Sequence, residues 1–138
     1  MAVSTKGALV NGTMLYCAEN DRSFSGVANA AETDWRKRNA RYLALAPILK
    51  AELRADAVRE GAQSQWQEFE NKTFPAKMAY VRNILVIQLK TLPAAERKQK
   101  CENIAASIVA GKLDFVTETQ LIGYLDKRVA EQSKAKSN

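Results

Sequence analysis

The residues with the most chemistry to offer lie in WRKRNAR, residues 35–41, where Arg36, Lys37, Arg38 and Arg41 place four cations within seven positions. Such a cluster can grip a phosphate if its side chains converge, or it can be the solvated side of a helix. At roughly 100° per residue they fan out. Measured from the middle of the apolar stripe, Arg36 falls about 120° to one side and Lys37 about 140° to the other, with Arg41 near 100° and Arg38 only about 40° away. Acids also answer the bases. Glu32 precedes Arg36 by four residues and Asp34 precedes Arg38 by four, the favourable acid-first order on a helix. The cluster therefore reads as a self-paired wet surface, and nucleic-acid binding through it is the weaker alternative.

Arg38 is the exception. A guanidinium that close to an apolar stripe must snorkel outward or find acceptors, because unpaired burial of a charge is expensive. Asp34, Glu68 and Glu70 are its candidate partners. Trp35, Arg38, Asn39 and Asp34 form the candidate structural or anion-contact group.

The stock of catalytic groups is thin. The chain contains no histidine, which removes the commonest general base and a common metal ligand. Glu68 and Glu70 do not share a helical face. There is no HExxH, GxxxxGK or GxGxxG, and no serine sits in a nucleophile-elbow context. The expectation is a non-enzymatic chain with no catalytic residue, no metal and no cofactor. Its two cysteines, Cys17 and Cys101, lack the CxxC spacing of a redox pair. Each lies on the apolar side of a predicted helix, so they form either one disulfide or two buried thiols. A disulfide would tether a short, glycine-containing first helix and would place the chain in an oxidising compartment.

The elements that must position these groups are helical. Only six glycines and three prolines occur in 138 residues, and no long stretch alternates with period two. The first predicted helix covers roughly residues 5–19, with Gly12 as its weak point. A second, capped by Ser25, runs to about residue 60 with a kink or break at Pro47, and carries Ala31, Trp35, Tyr42, Leu49 and Leu53 inward. A third spans about 64–90, interrupted at Pro75, and its half over 76–90 is apolar enough to be central. A fourth lies between Pro93 and Gly111. A last one opens at a capping box, Thr117 to Gln120. The fold class is thus all-α: a compact bundle of about five helices forming one domain over residues 1–132, followed by a flexible polar tail, 133–138.

Apolar residues make up 46% and charged residues 26%, with a net charge of +6, values of a folded chain with a mild preference for anionic partners. No window reaches the roughly eighteen apolar residues of a membrane span. The opening MAVSTKGALVNGTMLYC makes a poor signal peptide. The expectation is a periplasmic or secreted protein whose signal peptide is not part of this sequence. A protein partner or a homo-oligomer fits such a chain. Phe24 in RSFSG and Phe74 in ENKTFPAK are aromatics at irregular turns that either plug the core or anchor a partner. In the second reading they make up the candidate partner surface with Arg41, Arg97 and Lys98. A ligand-binding or structural envelope protein is the alternative, with a pocket lined by Trp35, Tyr80 and Met78.

Cys17, Trp35-x-x-Arg38-Asn39, LPAAERKQKC ending at Cys101, and Ile108-x-x-Gly111-x-x-Asp114 together resemble a pattern of small exported all-helical proteins of bacteria. That resemblance implies a Cys17–Cys101 bond and a structural role for Trp35, Arg38 and Asn39 where helices cross. In size, helicity and inferred compartment the chain also resembles periplasmic immunity proteins that neutralise toxins. The implied function is a protein-binding module, an inhibitor or immunity protein.

Overall fold

The computed structural model describes residues 1–138 and is helical throughout, with no strand. Helix α1 (Ala2–Asn20) leads through a 3-10 turn (Arg22–Phe24) into α2 (Ser25–Arg38), a short α3 (Ala40–Leu43) and α4 (Leu45–Arg59). Then come α5 (Gln63–Glu68), a π turn (Phe69–Thr73), α6 (Phe74–Lys90) and α7 (Ala94–Val109). A second 3-10 turn (Phe115–Thr117) precedes α8 (Ile122–Ser137). Six of these helices are long, against the five expected.

The extra helix arises at Asn39. Its backbone leaves the helical basin at φ −102°, ψ 9°, and its side-chain amide returns to the Trp35 carbonyl at 2.9 Å. A side chain that competes for the backbone's own acceptor ends a helix. Pro47 lies in the first turn of α4, where a missing N–H has no helical acceptor to lose. Pro75 is the second residue of α6 and follows directly on the π turn. The wider π turn loosens the backbone just ahead of the ring, which in a regular helix would meet the carbonyl four residues back.

The centre of the molecule is α1, not the 76–90 segment. Helix α1 packs against α6, α2 and α7 and buries Val3, Val10, Met14 and Cys17. Helix α6 buries only Val86 and Leu89. Both sequences are apolar around much of their circumference, but charge separates them. From Ala2 to Ala18 the only charged residue is Lys6, whereas α6 carries Lys77, Arg82 and Lys90, which need water. Gly12 permits the closeness of the α1–α6 crossing. A Cβ there would run into the Arg82 carbonyl and lie 2.8 Å from the Arg82 Cα.

Cys17 on α1 and Cys101 on α7 form a disulfide, with Cα atoms 5.9 Å apart and a sequence separation of 84. At the far end, Thr117 makes no capping box. Its hydroxyl donates to the Asp114 carbonyl at 2.8 Å inside the 3-10 turn, and α8 begins only at Ile122. Helix α8 then continues to Ser137 through the residues expected to be a tail. Lys134, Ala135 and Lys136 are strong helix formers that need no core contact to extend an existing helix. No helix is long and apolar enough to cross a membrane.

Candidate functional site

The densest polar constellation joins the end of α2 to the segment that connects α7 and α8. Helix α2 ends at Arg38, so Trp35, Arg38 and Asn39 project from its last turn toward residues 108–115. Gly111 makes that segment possible: it sits at φ +79°, a conformation that an L side chain resists, and it turns the chain sharply after α7. Its missing Cβ also leaves room for Asp114, whose Oδ2 would lie 3.3 Å from such an atom.

Arg38 then closes on Asp114 in a fork. Its Nε donates to Oδ2 at 2.9 Å and its Nη2 to Oδ1 at 3.0 Å. Nη2 also donates to the Ile108 carbonyl at 2.6 Å, and Nη1 donates to Asp34. Asn39 Nδ2 donates to the same Asp114 Oδ1 at 3.0 Å, while its Oδ1 accepts from the Phe115 N–H at 2.9 Å. Trp35 Nε1 donates to the Leu113 carbonyl at 3.1 Å. A single helix end thus binds a carbonyl of the last turn of α7 and a carbonyl, a carboxylate and an amide of the segment that follows it.

Electrostatics follow from this geometry. Burial opposes the charge on Asp114, which is 9% exposed. Hydrogen bonds from Arg38 and Asn39, with the charges of Arg38 and Lys6, outweigh it and hold the carboxyl below its ordinary range. Arg38 is shifted upward, first by its hydrogen bond to Asp114. Each nitrogen of the guanidinium donates, through four of its five N–H groups, and both Asp114 oxygens accept. The guanidinium works as a clamp.

Phe115, the next residue, is fully buried between Trp35 and Tyr42, with ring centroids 6.0 and 5.6 Å away. Lys6 lies over the Phe115 ring at 5.4 Å and pairs with Glu118. Tyr42 donates its hydroxyl to Asp126 at 2.7 Å and accepts from Arg41 at 2.7 Å. Burial, then the bond to Asp126, pushes the Tyr42 phenol upward. Arg128 on α8 joins Glu52 on α4, with Nη1 donating at 2.9 Å.

Of the groups singled out in the sequence, Trp35, Arg38, Asn39 and Asp34 come together. Glu68 and Glu70 are not partners of Arg38; Glu70 meets Lys50 at 3.2 Å instead. The partner-surface residues scatter. Phe24 is 7% exposed and plugs the core rather than projecting. It borders a cavity of about 320 Å³ beside the disulfide, with Arg97 and Lys98. Arg97 is engaged, donating to the carbonyls of Leu89 at 3.2 Å and Leu92 at 2.9 Å, and so holds the end of α6. Phe74 is half-buried against Phe69, 5.8 Å away, under Lys50. Arg41 covers the Tyr42 ring at 4.7 Å.

The expected pocket of Trp35, Tyr80 and Met78 does not form, because Trp35 is in the core and Tyr80 faces solvent. Asp114, Asp126, Glu118, Lys6 and Arg128 were not foreseen as partners. Only Asp114 had a signal, its place three residues after Gly111.

No protein-family model matches the chain, and neither the curated proteins nor the solved structures contain a match.

Proposed function

We propose that the chain is a non-enzymatic protein-binding module of an oxidising compartment, periplasmic or secreted, acting as an inhibitor or immunity protein for a toxin. The observation that carries this reading is the Cys17–Cys101 disulfide, which joins the central helix to α7. Such a bond persists outside the reducing cytosol. The clamp supports the same reading from the side of chemistry. Its densest set of ionisable groups is spent on holding a loop, with Arg38 bound to both oxygens of Asp114. What such a molecule has to offer is a rigid surface. The resemblance of the Cys17, Trp35–Arg38–Asn39 and Cys101 pattern to small exported helical proteins points the same way.

Cross-linking in intact source cells, followed by purification of the full chain under denaturing conditions and mass spectrometry, tests the proposal. The expected result is one protein partner in near-equal amount, recovered from the extracytoplasmic fraction. Recovery of the chain from that fraction without any partner would contradict it.

A further inference from the structure

The bundle leaves the outer side of α6 uncovered. At about 100° per residue, Ala76, Tyr80, Ile84 and Ile87 of α6 fall within roughly 40° of one line. That line is directly opposite Leu89 and the Arg82 backbone, which face the core and α1. Tyr80 is 60% and Ile87 57% exposed. Ile84 is half-buried because it turns into a groove of about 340 Å³ lined also by Leu9, Val81, Phe115 and Leu121. An apolar ridge therefore runs beside a mostly apolar slot, whose rim also holds Thr5, Lys6 and Glu118.

The segment that carries this ridge bears charge of one sign, and the Glu118 carboxylate that borders the groove is already paired with Lys6. From Asn71 through Ala95 the chain holds Lys72, Lys77, Arg82 and Lys90 and not one Asp or Glu. None of the four takes part in an ion pair. On α2, by contrast, Glu32 and Asp34 answer Arg36 and Arg38. Lys77 flanks the ridge about 60° to one side and Lys90 about 80° to the other, while Lys72 lies in the π turn just ahead of α6.

We propose that the outer face of α6 docks an acidic protein, which covers Tyr80, Ile84 and Ile87 with an apolar patch and meets Lys72, Lys77 and Lys90 with carboxylates. This rests on the binding-module reading and names the surface and the partner's chemistry. A second copy fits poorly, since a two-fold contact would set these lysines against each other. A lipid surface also fits poorly. The helix is pinned along α1 at Gly12, and its narrow ridge offers no exposed tryptophan or phenylalanine to insert. A tyrosine flanked by aliphatics is a common anchor of protein interfaces, and unanswered bases accelerate capture of an acidic partner.

The test uses the full chain and the partner recovered by cross-linking, purified and titrated against variants whose fold is checked by circular dichroism. Joint truncation, Tyr80→Ala with Ile87→Ala, is expected to weaken binding by about 30-fold or more. Charge reversal, Lys72→Glu with Lys77→Glu, is expected to slow association about tenfold and flatten its salt dependence. Val58→Ala on α4, an exposed control, is expected to leave affinity within about twofold. Binding that survives both α6 variants would overturn this surface while leaving the binding-module reading in place. No partner at all would remove both. Self-association abolished by the Tyr80→Ala/Ile87→Ala pair in sedimentation would hand the face to a second copy and overturn the proposal. Lysine-dependent flotation with phosphatidylserine vesicles would hand it to a membrane, with the same consequence.

Discussion

Arg38 gives all three of its nitrogens to Asp114, Asp34 and the Ile108 carbonyl, and its loss would strand a buried carboxylate. Arg38→Met is expected to lower stability by about 3 kcal/mol in urea titration, the usual cost of removing one partner of a buried pair. Arg38→Lys should recover little, because an ammonium cannot reproduce the fork. The pH dependence has a definite sign. Asp114 ionises more readily folded than unfolded, so its contribution is complete above the unfolded value of about 3.9 and fades as the pH falls through the lower folded value. Acid titration of the native chain should show this loss below about pH 4, and Asp114→Asn should be less stable at neutral pH with a shallower acid limb. The Asp34–Arg38 pair was legible because helical spacing writes it into the sequence. Asp114 was not legible as the partner, since it lies 76 residues from Arg38 and no periodicity connects a helix end to a remote loop.

Helices, unlike their partners, announce themselves through local spacing, so α1, α7 and the apolar side of α2 were readable from single residues such as Val10, Cys101 and Trp35. Two of the departures at this scale show their physical causes most plainly. Asn39 divides a helix whose apolar phase continues past it, because its side chain answers to Asp114 rather than to its neighbours. Helix α6 read as central from apolar content alone, yet the position of honour went to α1, which has fewer charges and a glycine where the two helices cross. Gly12 was read as a weakness, whereas the crossing depends on it. Gly12→Ala should therefore cost about 2 kcal/mol through overpacking, despite alanine's better helix propensity. Gly123→Ala in the first turn of α8, where an added Cβ meets nothing within 4 Å, should be neutral or stabilising by up to about 0.5 kcal/mol. Thermal unfolding of the two variants side by side distinguishes a close-approach glycine from a permissive one.

Across the whole molecule, long-range ties at opposite ends hold the helices to one another: the disulfide between α1 and α7, and the clamp between α2 and the loop before α8. They act on different states. The clamp stabilises the folded chain, while a bond across 84 residues restricts the unfolded one. Replacing both cysteines by alanine should lower stability by about 4.5 kcal/mol on the chain-entropy account, measured by urea unfolding. The all-helical class was evident from composition and from the lack of period-two alternation. The pairing of the cysteines was only one of two readings, because spacing along a chain does not fix distance in space. The same bond links the fold to its proposed setting, since disulfides persist in oxidising compartments. Alkylation of thiols in intact source cells, before any reductant, followed by non-reducing digestion and mass spectrometry, addresses this most directly. The account predicts one cross-linked species joining the Cys17 and Cys101 peptides and no alkyl group on either sulfur. Both sulfurs carrying the label would contradict it.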